Sequence, residues 1–455
     1  MTDRIMIAAP GSASGKTTIT CALLAALRQR GLNVVSFKCG PDYIDPMFHQ
    51  KVTRVPSYNL DSFLMSDAGV LQALHDHADH ADLAVLEGVM GLYDGLGNTS
   101  EASSNHVSLI TETPVVLVVD ARGAALSLAA TIQGFLQFAE NNIRAVILNN
   151  TSASSYEFYR QIIQDNLAVP VIGYLPTIAQ ARIESRHLGL VTADEISDIQ
   201  AKISLLADQA AISIDLEALL AIAHGAPDLA APEGFLPAAA TQTTVRIAVA
   251  SDAAFCFWYQ DNHELLNRLG AELVFFSPIK DQALPDDIDG LILWGGYPEL
   301  YAPQLSGNHQ MLAAIRAAIA DGLPVYAECG GFMYLQQSLA DLDGNEYPML
   351  AVLPGRVRMS GGLSDFGYFT ITALRDSLLA KTGSVINTHF FHHSVSDNQG
   401  DCFMAVKRSG KQFACIVSTD TIFAGYQHLH FWGNWQFAGN FVEACQKYQT
   451  KRGAR

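Results

Sequence analysis

The sequence is short of positive charge. Its 28 lysines and arginines face 45 acidic residues, a formal net charge of −17. No basic stretch offsets that balance, which argues against a binder of nucleic-acid phosphates and against an anionic membrane surface. Charged residues make up only 16% against about 25% in an average soluble chain, and hydrophobic ones 49%, too apolar a composition for disorder. CxxC pairs are absent. The seven cysteines, Cys21, Cys39, Cys256, Cys329, Cys402, Cys415 and Cys445, are an odd and scattered set, which fits neither a disulfide framework nor a zinc knuckle and points to a reducing compartment. No apolar run approaches the ~18 residues that cross a bilayer. Arg4 followed by Ile5-Met6-Ile7-Ala8-Ala9-Pro10 is too short for a signal-peptide core, so the expectation is a cytoplasmic protein.

What the sequence does contain is alternation. Ile5–Ala9, Val34–Lys38, Leu83–Glu87, Val115–Asp120, Ala145–Asn149 and Val171–Tyr174 are short apolar runs without a polar face, separated by helical patterns such as Thr17–Arg30 with Leu23, Leu24 and Leu27 on one side. That pattern predicts a parallel sheet buried on both faces. Residues 223–243 are rich in small residues and proline and read as a linker. The alternation then restarts with Arg246–Ser251, Glu272–Phe276, Gly290–Trp294 and Pro324–Ala327. The expected organisation is two α/β domains, 1–222 and 244–450, with no internal repeat.

Directly after the first strand comes Gly11-Ser12-Ala13-Ser14-Gly15-Lys16-Thr17-Thr18, opening a helix. Glycines let backbone N–H groups close around an anion, the helix dipole favours it, Lys16 can reach β/γ phosphates and Thr17 can hold Mg²⁺. Pro10 stands where a strict P-loop has glycine, so this is a variant loop. The second strand leads into Pro41-Asp42-Tyr43-Ile44-Asp45-Pro46, and the third into Glu87-Gly88-Val89-Met90-Gly91-Leu92-Tyr93-Asp94-Gly95. Carboxylates at that sheet edge, where ligands of open α/β sheets bind, face a triphosphate only with divalent cations between them. Asp42 and Asp45 are also ordinary turn formers; Glu87 is not called for by a turn. These features describe an ATP- or GTP-dependent enzyme of phosphoryl-transfer type. A dinucleotide-binding dehydrogenase fits poorly, because Lys16-Thr17 belongs to triphosphate chemistry.

In the second half, Val325-Tyr326-Ala327-Glu328-Cys329-Gly330-Gly331 runs from a strand into a helix with cysteine at the turn. That is the arrangement of a nucleophile elbow, in which small neighbours permit a strained turn. The other six cysteines suit buried structural roles. A base for the thiol is available from His389, His392 and His393 or from His428 and His430, and spacing does not choose between them. Gly295 and Gly296, ending a strand, offer N–H groups for an oxyanion hole.

With Arg186-His187-Leu188-Gly189-Leu190, Phe255-Cys256-Phe257, Gly295-Gly296-Tyr297-Pro298-Glu299 and His428-Leu429-His430-Phe431, these motifs span nearly the whole chain. Together they resemble an ATP-dependent amidoligase of the dethiobiotin-synthetase type fused to a class I glutamine amidotransferase domain, and within that group the cobyrinic acid a,c-diamide synthases. The resemblance implies a P-loop NTPase-type parallel-sheet domain followed by a flavodoxin-like amidotransferase domain. It implies that Cys329 attacks the carboxamide of glutamine with His428 as base and Gly295, Gly296 and Gly330 around the oxyanion. Ordinary class I amidotransferases carry glutamate two residues after that histidine; here the place holds His430, the candidate for an open third role. Gly11 to Thr18 would bind ATP, and Thr17, Asp42, Asp45 and Glu87 would hold Mg²⁺. Tyr43, Ile44 and Asp94 would meet the corrin.

The activity so implied is amidation of two corrin acetate groups through an acyl phosphate, with ammonia from glutamine; a homodimer is the assembly to expect. The alternatives are a sister tetrapyrrole amidase, such as cobyric acid synthase or a nickel-tetrapyrrole amidase, and a partitioning-type ATPase with a non-catalytic C-terminal module. One departure stands out. The family usually reads Gly-His-Glu-Phe-His-Tyr-Ser where this chain has Thr388-His389-Phe390-Phe391-His392-His393-Ser394, so the contact made by that glutamate must have been rebuilt.

Overall fold

A computed structural model describes residues 2–181, 193–242 and 244–454. The motif Arg186-His187-Leu188-Gly189-Leu190 lies outside the described residues. The chain forms two compact units, Met1–Phe235 and Leu236–Arg455.

The first unit is built on a seven-stranded sheet: β1 (Asp3–Ala8), β2 (Val34–Cys39), β3 (Ser57–Leu60), β4 (Leu83–Glu87), β5 (Val115–Asp120), β6 (Ile143–Asn149) and β7 (Val171–Leu175). Their order is β3-β2-β4-β1-β5-β6-β7 and every pairing is parallel. The strand order reverses at β1, with β2 to β4 on one side and β5 to β7 on the other, so the loop after it opens at a topological switch point. Helix α1 (Lys16–Gln29) follows that loop and buries Leu23, Leu24 and Leu27 against Ile5, Ile7, Val85 and Val116. Helix α2 (Ile44–Thr53) follows β2. In register, Lys38 of β2 and Ile7 of β1 both sit beside Glu87 of β4. Two charged side chains thus leave adjacent strands at one edge, next to the loop. No helix among the described residues is long and apolar enough to cross a membrane.

The second unit has two sheets. In the first, β8 (Val245–Ala250), β9 (Ala271–Phe276), β10 (Gly290–Leu293), β11 (Val325–Glu328) and the strand Ile422–Gly425 are parallel, in the order β9-β8-β10-β11 and then Ile422–Gly425. A mainly antiparallel sheet centres on the long hairpin Arg356–Ala373 and Val385–Ser396, with Ser338–Ala340 joining its first arm in parallel; Gln427–Leu429 pairs with its second arm, setting His389 opposite His428.

The stretch 223–243 is tied down on both sides. Arg4, almost wholly buried, donates from Nε to the Thr111 carbonyl at 2.9 Å and from Nη2 to the Pro227 carbonyl at 2.6 Å, while Arg268 donates to the Pro237 carbonyl at 2.6 Å. The buried guanidinium donates to both carbonyls, and losing hydrogen bonds made by a charged group costs about 2–3 kcal/mol. Arg4→Ala should therefore lower the stability of the first unit by about that amount in chemical denaturation, whereas a change below ~0.5 kcal/mol would show that water replaces it.

Candidate active site

The phosphate loop has the backbone its residues demand. Ala13 and Gly15 are both in the left-handed region, at φ 60° and 92°, and the Ser14 hydroxyl donates to the Gly11 carbonyl at 2.9 Å. Asn149, at the end of β6, donates from Nδ2 to the Ser14 carbonyl at 2.8 Å, and a Cβ at Gly15 would lie only 2.0 Å from that same nitrogen. Glycine is therefore required at Gly15 on two counts. Lys16 turns onto the loop: its ammonium donates to the Gly11 carbonyl at 3.0 Å and to the Met90 carbonyl. Burial, with Lys38 adding like charge, pushes Lys16 down to about 8. An arriving anion restores the balance at this ammonium.

Beside the loop lies a buried charge network. Lys38 bridges Asp45 Oδ2 at 2.6 Å and Glu87 Oε1 at 2.8 Å; His49 Nε2 is 3.0 Å from Glu87 Oε2, and the Thr17 hydroxyl donates to Glu87 Oε1 at 2.7 Å. Burial alone would raise the Glu87 carboxyl, but Lys38 and then His49 hold it well below the usual carboxylate range. Asp42 is different. Its Oδ1 accepts the N–H groups of Ile44 (2.9 Å) and Asp45 (3.1 Å), which caps α2, and burial plus the charge of Asp45 push it up to about 6. Tyr43 is buried at the start of α2, and Ile44 is partly exposed beside it. Asp94 accepts the Gly91 N–H at 2.8 Å and so closes the loop that follows β4.

The second centre forms where β10 and β11 end side by side. Cys329 stands between β11 and the helix Gly330–Leu335 at φ 45°, ψ −104°, a strained conformation for a residue with a side chain. Its neighbours leave no alternative. A Cβ on Gly331 would lie 2.0 Å from the Leu293 carbonyl oxygen, and one on Gly330 would lie 2.9 Å from Pro298 Cδ and 3.0 Å from the Gly296 nitrogen. Gly296, at φ 157°, is pressed equally hard, since its Cβ would meet the Ala254 carbonyl at 2.1 Å.

His428 hydrogen-bonds the Cys329 sulfur and presents Nδ1 to Glu328 Oε1 at 3.1 Å. The other oxygen of Glu328 accepts the Tyr326 hydroxyl at 2.6 Å and the Leu429 N–H at 3.3 Å. Burial disfavours a charged imidazole, but Cys329 and then Glu328 outweigh it and lift His428 to about 10. A proton held on His428 beside the sulfur is the arrangement of an activated thiol.

The structure brings Cys329, His428, Gly295, Gly296 and Gly330 together and sets His430 apart. Pairing ends at Leu429, where Asn262 holds the Leu429 carbonyl (2.7 Å) and the Phe431 N–H (2.8 Å) and draws the backbone toward the helix Gln260–Arg268. His430 consequently points at Asp261, with Nε2 3.6 Å from Oδ2, and its ring packs on Tyr259. Glu328, immediately before the thiol, occupies the position against His428 instead. Among the other histidines, burial holds His389 down to about 3 and His392 down to about 4, and His392 stacks on Tyr426 at 3.8 Å. Phe390, in the place of the family's glutamate, is buried against Phe369 and Phe413 at 5.0 and 5.6 Å, an apolar contact rebuilt from aromatic rings.

Sequence reasoning also passed over Lys38, His49 and Asn149. Lys38 had a readable signal, a lone cation at the end of an apolar strand paired with one ending in Glu87. His49 and Asn149 had none.

A P-loop nucleotide-binding unit followed by a unit with a cysteine–histidine–glutamate constellation defines a glutamine-dependent, amide-forming ligase. Residues 5–191 match the CobQ/CobB/MinD/ParA nucleotide binding domain and residues 246–435 the CobB/CobQ-like glutamine amidotransferase domain. Cobyrinate a,c-diamide synthase of Listeria innocua is 41% identical, covering 95% of this chain and 97% of its own. Those of Dehalococcoides mccartyi and Thermoplasma volcanium are 39% and 37% identical, covering 98% and 99% of this chain and 99% and 98% of their own. The chain belongs to the cobyrinate a,c-diamide synthase family. A crystal structure of a glutamine amidotransferase is 16% identical, with a TM-score of 0.32 over 44% of this chain and 98% of that one.

Glu328→Gln keeps the shape and removes the negative charge that faces His428, so glutamine hydrolysis should fall by about 10³-fold or more in kcat. His430→Ala should cost less than about 10-fold. The opposite ranking in steady-state assays would return the third position to His430.

Proposed function

We propose that this chain converts the a- and c-acetate carboxylates of cobyrinate, or of its metal-free counterpart, into amides, in cobalamin biosynthesis. The observation that carries the reading is the pairing, in one chain, of a phosphate loop flanked by a buried lysine–carboxylate network with a strained cysteine bound to histidine. A partitioning-type ATPase has no use for the second of these.

At the glutaminase centre Cys329 attacks the carboxamide carbon of glutamine. The developing oxyanion meets the N–H groups of Gly296 and Gly330, which lie close together beside the thiol, with Gly295 holding the strand end. His428 delivers its proton to the leaving nitrogen, ammonia departs, and water attacks the thioester with His428 now as base. Glu328, anchored by Tyr326, keeps the imidazole oriented and supports its charge, as a triad carboxylate does.

At the synthetase centre the loop Gly11, Ser12, Ala13, Ser14, Gly15, Lys16, Thr17 and Thr18 surrounds the ATP phosphates. Lys16 exchanges the Gly11 and Met90 carbonyls for phosphate oxygens. The corrin carboxylate attacks the γ-phosphorus, ADP leaves, and ammonia then attacks the acyl carbon as phosphate leaves. Phosphorylation is needed because a free carboxylate has only oxide to expel. Lys38 stands between Asp45 and Glu87, where a cation faces both phosphate and carboxylate.

Among the described residues no group of three or more His, Cys, Asp or Glu side chains forms a ready-made metal site. The donor set nevertheless fits Mg²⁺, which takes one or two protein oxygens and completes its shell with phosphate and water. Thr17 and Glu87 are hard oxygen donors in contact, and Asp42, raised by burial and by Asp45, is a carboxyl that a divalent cation would favour in its charged form, with Asp45 beside it. Bound there, Mg²⁺ would offset repulsion between the phosphates and the incoming carboxylate. Tyr43 and Ile44, next to this network, are the residues we place against the corrin. Asp94 serves it by shaping the loop after β4. The family's biosynthetic role and the reducing-compartment cysteines support a cytoplasmic enzyme.

Cys329→Ala should abolish glutamine-supported amidation and retain amidation driven by high ammonium salt, with mass spectrometry counting two added amides. Equal loss with both nitrogen sources would contradict separate centres, and four additions would reassign the substrate.

A further inference from the structure

The peptide unit that joins His428 to Leu429 is gripped at both of its polar ends. Its carbonyl oxygen accepts the Thr388 hydroxyl at 2.7 Å, and its N–H donates to Glu328 Oε2 at 3.3 Å. In a trans peptide these two groups point in opposite directions, so threonine and glutamate hold the plane from opposite sides. Thr388, Glu328 and His428 are all buried. One residue earlier, Gln427 pairs with Phe390 in the same sheet, and one carbonyl later Asn262 holds Leu429 at 2.7 Å. The backbone on either side of the His428 Cα is thereby set, and its Cα–Cβ bond is left a single direction.

Glu328 has two tasks. Its Oε1 faces the imidazole Nδ1 at 3.1 Å while Oε2 takes the N–H of the next residue. A turn of the 428–429 plane would draw the carboxylate off the imidazole or break its bond to the backbone. The Thr388 hydroxyl, at the other end of that plane, opposes such a turn.

We propose that Thr388 is a positioning residue for the glutaminase base: its hydroxyl fixes the His428–Leu429 peptide plane and so keeps Glu328 on the imidazole. The inference deepens the proposed activity and rests on Cys329 and His428 being the glutaminase pair. One neutral hydrogen bond is a small lever, but it acts on the orientation of a group whose misplacement is felt steeply in rate.

Thr388→Val keeps the volume and removes the hydroxyl; Thr388→Ser keeps the hydroxyl and removes a methyl. In the full-length chain, Thr388→Val should lower kcat for glutamine hydrolysis by about 3- to 10-fold, the range of one neutral hydrogen bond. Its KM for glutamine should stay within about two-fold, because the change falls on the base and not on substrate contacts. Thr388→Ser should bring kcat back to within about two-fold of the native value, and amidation driven by ammonium salt should be unchanged in both. A Thr388→Val chain as fast as the native one, equal loss in the two variants, or loss of the ammonia-driven reaction as well would overturn the proposal alone. A native chain that leaves glutamine intact would overturn the reading of Cys329 and His428, and the proposal with it.

Discussion

A parallel sheet buried on both faces delivers the carboxyl end of every strand to one edge, and no strand can return without a crossover. Each chemical centre of this chain is assembled within that constraint. In the first unit, β1, β2 and β4 end together, so the phosphate loop, Lys38 and Glu87 converge although the sequence separates them by tens of residues. In the second, β10 and β11 end together and set Gly295 and Gly296 beside Cys329. The chemistry is local in space because the strand polarity is global.

Convergence of charge in a dry setting has to be compensated. Lys38, Asp45, Glu87 and His49 are all buried, and each is held by another member of the set. Removing one partner from such a group costs about 3–5 kcal/mol, because an uncompensated charge is left behind. The network therefore fixes the geometry on which phosphoryl transfer depends before any ligand arrives. The second centre achieves rigidity by sterics: Gly296, Gly330 and Gly331 leave no room for a Cβ, and the strain falls on Cys329, whose side chain must project.

Most strands of the two parallel sheets were legible because Val, Ile and Leu crowd them, and Leu83–Glu87 and Val115–Asp120 coincide with β4 and β5, but the parallel strand Ile422–Gly425 was missed. Ser57–Leu60 was not legible either, since an edge strand of serine and asparagine carries no apolar signal. The antiparallel sheet was equally silent: its long arm, Arg356–Ala373, includes paired glycines and shifts register twice. The loop residues and the thiol announced themselves by local chemistry. Glu328 did not, because its partner is 100 positions away and only strand geometry brings them together. His430 was suggested by a family spacing that presumes the strand continues, and Asn262 ends it.

What unites the two halves is a division of labour. One centre frees a nitrogen nucleophile that would be protonated in bulk water, and the other gives an unreactive carboxylate a leaving group. Isotope transfer tests that claim most directly. With a corrin substrate labelled by ¹⁸O in its acetate carboxylates, ATP and glutamine, the account predicts one ¹⁸O in inorganic phosphate for every amide formed. Unlabelled phosphate alongside amide product, or phosphate released with no new carbon–nitrogen bond, would contradict it.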